Sequence, residues 1–480
     1  MCALVVVAAV LFFAGWQLVM PAGFVSIQGI NRGAVVAWWS VMGRSPPQPV
    51  PSLAIYAAWF RGSLILGWAA YAAMLWLTGR GAGLDPRWRW PLAIPVVTLM
   101  ALASPASLST DVFAYVGYGR LAVLHGLNPH LHTQAELIRL GDPSAPYLHW
   151  PIASPYGPLW TLLSMAVVWL SSLGAVAGSI ASAVLIPVIA LKLIAGAALL
   201  AAAAWARQIV GRTAPRWADA VFFLVALNPL LLVEGPGNGH NDLVMMALLV
   251  AGWAAHARGR PRWGAVLVGL AAAIKLIPLL MVPWLITLAV REAPPGWRSR
   301  LGAATLVLVL SLAPVVAAYA PFWSGPRTLD GLVARWEKGS PTRSPSSPSS
   351  PSSPSPSHSD PRRPQDRQDR QDRDRPREIS TVAGSAGKVA VRIWPALLVY
   401  LWASLAICLG QGDAVSRLGT VWSCTALASM IFVAGLWFPW YLAWFWIPVV
   451  LRFTRLHLAL MAFALPFSLL LMLAYAMSPG

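Results

Sequence analysis

Charge is scarce in this chain. Only 11% of its 480 residues are Asp, Glu, Lys or Arg, while 58% are hydrophobic. A domain that faces water on all sides carries about 25% charged residues, so an ordinary soluble enzyme is excluded. Cysteine is nearly absent as well. Cys2, Cys408 and Cys424 lie far apart, with no CxxC and no Cys/His cluster, which excludes a disulfide framework and a zinc site. The sequence also lacks a phosphate-binding P-loop, a GxGxxG opening a nucleotide fold and a GxSxG elbow. No soluble domain is expected that could bind a sugar nucleotide, so if the chain is a transferase its activated donor should be borne by lipid. Carboxylates are few. Outside 325–388 there are nine: Asp85, Asp111, Glu136, Asp142, Asp219, Glu234, Asp242, Glu292 and Asp413.

What the chain has instead is long apolar runs. A spanning helix needs about 20 apolar residues, and candidates fall at 3–19, 53–77, 91–102, 159–170, 183–206, 220–233, 243–255, 263–289, 301–320, 393–409, 421–437, 441–450 and 456–474. The fold class is therefore an all-α polytopic membrane protein with about 11–13 crossings, several of them short enough to be half-helices. No basic stretch precedes Ala3 and no small-x-small cleavage site follows, so the first run is expected to be a retained helix. The net charge of +18 suggests nucleic acid at first sight, but cytoplasmic loops of membrane proteins collect Lys and Arg, and no nucleic-acid partner is expected. The 26 Trp residues suit interfacial anchoring and also the stacking of sugars.

Two segments interrupt the apolar pattern. Residues 344–357 are almost wholly Ser and Pro, and 361–377 alternate Arg, Asp and Gln. Neither can bury apolar surface, so 324–388 is expected to be a disordered insertion. It divides a module at 1–323 from C-terminal helices at 389–480. The loop 104–157 is different, holding aromatics, His and Asn-Pro; a connection that long is either functional or disordered, and its composition predicts order with interfacial helices. Arg80, Arg87 and Arg89, then Arg258, Arg260 and Arg262, then Arg291, Arg298 and Arg300, and finally Arg452 and Arg455 mark cytoplasmic loops. The loop 104–157, the turn 234–242 and the corner 437–441 then face the opposite side. Full crossings at 159–170 and 183–206 put Arg207, Arg212 and Arg216 on the wrong side, a conflict that a break near 174–178 repairs. A second break is written at Lys275, midway along an apolar run, with Pro278 removing a backbone donor three positions later.

Four groups of residues carry candidate chemistry. Asp111, Tyr115 and Gly119 recur at helical spacing on one face; the plainer alternative for Asp111 is a first-turn carboxylate favoured by the helix dipole. After Asn228-Pro229 comes Glu234-Gly235-Pro236-Gly237-Asn238-Gly239-His240-Asn241-Asp242. Ionisable groups at membrane depth usually mark a functional cavity. Capping by Asn241 or Asp242 explains one of these polar residues but not four together. Lys275 stands where a helix breaks and is a natural point charge for a phosphate, whereas Lys192 and Arg61 read as snorkelling side chains. Trp440 and Tyr441, beside Pro439, fit either an aromatic belt or a sugar-stacking face.

Taken in order, Ser109-Thr110-Asp111-Val112-Phe113-Ala114-Tyr115 with Gly119-Arg120, Gly126-Leu127-Asn128-Pro129-His130, Ser154-Pro155-Tyr156-Gly157-Pro158-Leu159-Trp160, Asn228-Pro229, Asn238-Gly239-His240-Asn241-Asp242, Ala273-Ile274-Lys275-Leu276-Ile277-Pro278 and Pro439-Trp440-Tyr441 resemble the multi-spanning glycosyltransferases of the GT-C superfamily. More narrowly they resemble the polyprenol-phosphomannose-dependent α-1,6-mannosyltransferases of lipomannan assembly. The insertion at 324–388 departs from that pattern. The resemblance implies a GT-C-type bundle in a bacterial plasma membrane, with its site on the extracytoplasmic side, a polyprenyl-phosphate sugar donor (most simply mannose) and a glycan or glycolipid acceptor. It implies Asp111 as general base, with Lys275 and His240 at the leaving phosphate and Arg120 behind them. Asn241 and Asp242 would orient hydroxyls, and Tyr115, Tyr156, Asn238, Trp440 and Tyr441 would line the site. No cofactor and no metal are expected, because the leaving group carries its own phosphate. A relative using another lipid-linked sugar, or a lipid-linked-sugar transporter with broken helices and buried charges, remains the alternative.

Overall fold

Apolar runs without water on their flanks must satisfy every backbone N–H and C=O within the segment, which leaves the helix as their solution. The computed structural model describes residues 2–18, 53–80, 85–104, 108–109, 111–145, 152–173, 179, 181–332, 414–432, 438–452 and 455–477, and no β-strand occurs among them. The helices run α1 (Cys2–Leu18), α2 (Leu53–Gly79), α3 (Arg89–Ala103), α4 (Asp111–His125), α5 (Ala135–Arg139), α6 (Pro158–Ser171), α7 (Ile186–Thr213) and α8 (Ala218–Ala226). They continue as α9 (Pro229–Leu232), α10 (Asp242–Ala257), α11 (Pro261–Ala272), α12 (Val282–Glu292), α13 (Trp297–Tyr319), α14 (Ala414–Phe432), α15 (Ala443–Val449) and α16 (Arg455–Met477).

Among the described residues, four stretches are long and apolar enough to cross a bilayer alone: Arg61–Gly79, Ala183–Thr213, Trp297–Phe322 and His457–Ala474. A fifth forms if Pro215–Ala226 and Pro229–Gly237, bent by 47° at their junction, count as one span. Several of the expected runs do not form full-length helices, for identifiable reasons. The runs at 91–102, 159–170 and 243–255 fold into helices of 15, 14 and 16 residues, short of the length a full crossing needs. The run at 263–289 is broken, as its Lys and Pro predict: α11 stops at Ala272, a 3-10 turn covers Ile277–Met281, and α12 begins at Val282. The run at 441–450 yields only the seven-residue, wholly buried α15. The run at 393–409 and the break expected at 174–178 lie outside the described residues, as does most of the expected insertion. The first residues of that insertion form a turn, Pro326–Leu329, and Gly331 lies against the Ala153 and Ser154 carbonyls.

The outer surface carries Trp59, Ile65, Leu66 and Trp76 on α2, and Leu301, Leu308, Val309 and Val316 on α13, all exposed. Such a surface suits lipid, not water. Four arginines gather at one end of α7. Arg89 and Arg207 share Asp219, the second at 2.7 Å. Arg212 donates to the Ala257 carbonyl, and the Arg258 guanidinium lies 4.9 Å over the Trp205 ring. Arg207 and Arg212 therefore sit with Arg89 and Arg258, as charge asymmetry demands. From Arg212, α7 runs back about 30 Å to Lys192 at 1.5 Å per residue. That distance matches the hydrocarbon thickness of a bilayer.

Candidate active site

The far end of α7 and the start of α10 meet the loop 104–157, which is held by two clasps. In the first, Arg120 on α4 donates from Nε and Nη2 to the Asp142 carboxylate at 2.8 and 3.0 Å, His125 Nε2 lies 2.8 Å away, and Ser144 donates from Oγ at 2.6 Å. Burial alone would raise the Asp142 pKa, but the Arg120, Ser144 and His125 hydrogen bonds outweigh it and hold it at about 2. In the second clasp, the helix break after Ala272 strands carbonyls that α11 can no longer use. Gly157 donates its N–H to Ile274 at 2.9 Å and Leu159 to Ala273 at 3.1 Å. A Cβ on residue 157 would collide with the Ala273 oxygen, so glycine here is dictated by the close approach of two backbones. The loop is thus fastened to the very break that carries Lys275. Tyr156, next to the clasp, packs edge-on to Tyr115 at 4.7 Å between ring centroids.

Within this frame Asp111 opens α4. Ser109 Oγ accepts its backbone N–H at 3.2 Å, and its side chain is buried. The Gly/Pro-rich turn between α9 and α10 delivers the next groups. Asn228 caps α9 by accepting from Leu230 and Leu231, and a single wide π-helical turn, Val233–Gly237, follows; such turns often occur at functional sites. Gly239 then adopts φ +78°, with Val112 and Lys192 pressed against it, and the chain reverses to present His240. The His240 ring stacks on Trp440 at 4.1 Å. Its Nδ1 lies 3.5 Å from Asp111 Oδ2 and its Nε2 lies 3.3 Å from Glu234 Oε2. Burial would lower the His240 pKa, but the two carboxylates outweigh it and raise it to about 9, so the imidazolium is the resting form near neutral pH. Asn238 donates to Glu234 Oε2 at 3.0 Å and accepts from Leu108 N–H at 3.4 Å.

The second half of the site is an ion pair. Lys275 Nζ lies 2.7 Å from both oxygens of Asp242, and Trp444 Nε1 donates to the same carboxylate at 2.7 Å. The ammonium also sits 5.0 Å from the centre of the Tyr441 ring. Asp242, expected to orient hydroxyls, is instead engaged by Lys275 and Trp444. Arg120, expected behind the leaving phosphate, is engaged by Asp142 in the loop clasp. Asn241 occupies the N-cap position of α10 without making a capping hydrogen bond. Its amide nitrogen and oxygen, like the Tyr115 hydroxyl, are buried without a hydrogen-bond partner, so these are donors and acceptors that a bound molecule can satisfy.

Sequence reasoning missed two residues. Lys192, read as snorkelling, is fully buried and donates to the Ser104 carbonyl; its signal was a cation inside an apolar run. Glu234 stood in the second polar cluster, yet its partner His240 comes close only through the turn at Gly239. Lys275 and protonated His240 offset the carboxylates of Asp111, Glu234 and Asp242, with the buried Lys192 amine alongside. No three His, Cys, Asp or Glu side chains among the described residues are grouped to hold a metal ion. Asp111 and Glu234 approach opposite nitrogens of one imidazole, a geometry that does not converge on a single ion.

Residues 3–291 match the family described as Alpha-(1->6)-mannopyranosyltransferase, N-terminal domain. The chain belongs to that family. This mannopyranosyltransferase-family match contains Asp111, Glu234, His240, Asp242 and Lys275; Trp440, Tyr441 and Trp444 lie beyond it. Among curated proteins, the chain is 28% identical over 282 residues to Alpha-(1->6)-mannopyranosyltransferase A of Mycobacterium tuberculosis, covering 54% of this chain and 51% of that protein. It is 24% identical over 216 residues to Alpha-(1->6)-mannopyranosyltransferase B of Corynebacterium glutamicum, covering 42% of this chain and 34% of that one. The chain thus spans about half the length of the first of these relatives and a third of the second. No solved structure matches it.

Proposed function

We propose that this protein is an integral membrane mannosyltransferase of the bacterial plasma membrane, moving mannose from a polyprenyl-phosphate donor to a glycan or glycolipid acceptor on the face opposite the arginine-rich loops. The observation that carries the reading is a buried cluster of carboxylates, Lys275 and His240 about 30 Å along α7 from the arginine end, in a chain of this family. A donor whose activating group is anchored in lipid reaches such a site sideways through the bilayer. A transporter would gather its charges at mid-membrane between two repeats, whereas these charges gather at one end beside a long clasped loop.

The chemistry is a single inverting displacement. The acceptor hydroxyl gives its proton to an Asp111 oxygen as its own oxygen attacks the anomeric carbon. The bond from that carbon to the phosphate oxygen breaks, and the electron pair leaves on the polyprenyl phosphate. A β-linked donor yields an α-linked product. General-base help of this kind contributes about 10²–10⁴-fold. Charge growing on the phosphate is met by Lys275, whose ammonium retains donor capacity beyond Asp242, and by the His240 imidazolium. Asn241 and Tyr115 satisfy sugar hydroxyls, and Tyr156, Trp440 and Tyr441 supply aromatic faces. No metal is required.

The test uses membranes containing the full chain, supplied with radiolabelled polyprenyl-phosphate mannose and a short mannoside acceptor in the presence of a chelator. Label is expected in the acceptor from the lipid donor and not from a nucleotide sugar in detergent-washed membranes. Transfer from the nucleotide sugar alone, or abolition by the chelator, contradicts the proposal.

A further inference from the structure

We infer that Glu234 is a positioning residue for this reaction: it holds the His240 ring as an imidazolium between two carboxylates, so that Asp111 is kept ionised and aimed until it takes the acceptor's proton. The inference rests on the proposed role of Asp111 and adds a residue outside the substrate contacts. Its foundation is geometric. His240 is fully enclosed, its two ring nitrogens lie 3.5 and 3.3 Å from Asp111 and Glu234, and its face is fixed on Trp440. Glu234 is itself buried, held at Oε2 by Asn238, and has no hydrogen-bond partner at Oε1.

The charge balance over one turnover explains why a second carboxylate is present. Before reaction, Asp111 and Glu234 are anions and His240 a cation. Only an ionised carboxylate can act as a base, and a cation beside a buried carboxylate favours the ionised form. After Asp111 accepts the proton it becomes neutral. Without Glu234 the imidazolium would then be a lone buried cation, a costly state. With Glu234 it remains paired, so the proton stays on Asp111 and His240 keeps its charge beside the departing phosphate. The other charged groups nearby do not replace Glu234 in this role. Asp242 is engaged by Lys275 and Trp444, and Lys192 approaches from α7 behind Gly239 and bonds the Ser104 carbonyl. The Tyr115 phenol is pushed up by burial and by the nearby Asp111 and Asp242 carboxylates, and stays neutral.

The experiment is the pH profile of transfer from polyprenyl-phosphate mannose in membranes containing wild type, Glu234→Gln, His240→Gln or the double variant, with accumulation measured for each. Wild type is expected to lose activity on the alkaline side near pH 9, where His240 gives up its proton. Glu234→Gln keeps the shape and the Asn238 contact but removes the charge, and should move that limb down by about one pH unit or more. His240→Gln should abolish the limb, and the double variant should be no slower than His240→Gln alone. A Glu234→Gln enzyme that is slower with an unmoved limb, or as fast as wild type, overturns the inference. If that variant fails to accumulate, an alkaline limb that persists in His240→Gln overturns it equally. Absence of transfer by wild type would instead refute the proposed function, so the two failures are distinguishable.

Discussion

Breaking the Asp242–Lys275 pair tests whether the two halves of the site are joined as described. Lys275 Nζ reaches both Asp242 oxygens at 2.7 Å, Trp444 adds a third hydrogen bond, and the side chains are 16% and 1% exposed. Asp242→Leu leaves the ammonium without its counter-charge, while Lys275→Met leaves the carboxylate with Trp444 alone. Removing one member of a buried pair destabilises by about 3–5 kcal/mol. Removing both, as Asp242→Leu with Lys275→Met, deletes the charges together and orphans only the Trp444 N–H, at about 1–3 kcal/mol. The double variant should therefore be more stable than either single one, a coupling of several kcal/mol that additive behaviour does not produce. The assay is the thermal unfolding midpoint of purified protein in detergent. The expected order is wild type, then the double variant, then the single ones, with transfer lost in all three variants. Single-variant losses below about 1 kcal/mol, the range of an exposed pair, or strict additivity would refute the reasoning.

Gly157→Ala should disrupt the clasp between the loop and the helix break, because the new methyl collides with the Ala273 oxygen; the expected result is faster proteolysis within 104–157 and loss of transfer, checked against Gly62→Ala, where the structure is open. Asp142→Asn should lower the unfolding midpoint at neutral pH. The wild-type stability contributed by Asp142 is present above its ordinary pKa of 3.8 and is lost as pH falls through about 2, so the gap between wild type and Asp142→Asn should close in acid.

Much of this was legible in the sequence because the lipid phase constrains it so strongly. Scarce charge and long apolar runs dictate helices, and a Lys beside a Pro in such a run dictates the break at 273–278. Breaks of that kind also hid the number of crossings: periodic hydrophobicity reports that a run is buried, not whether it passes straight through, bends at Asn228 or stops after seven residues as α15 does. Asp111, His240 and Lys275 stood out as polar groups in apolar surroundings. Their pairing did not, since Asp111 meets His240 and Asp242 meets Trp444 across wide sequence separations that the turn at Gly239 and the corner at Pro439 set in three dimensions. Arg120 illustrates the limit best. Its place in the motif pointed to phosphate, and the short return of the loop through α5 brought Asp142 to it first.

The most direct measurement is single-turnover transfer by Asp111→Asn, which preserves the volume and the contact with His240 but removes the proposed proton acceptor. With normal accumulation in the membrane and retained binding of the lipid donor, label should stay on the polyprenyl phosphate and the rate should fall by about 10²–10⁴-fold. Transfer at the wild-type rate would contradict the account at its centre.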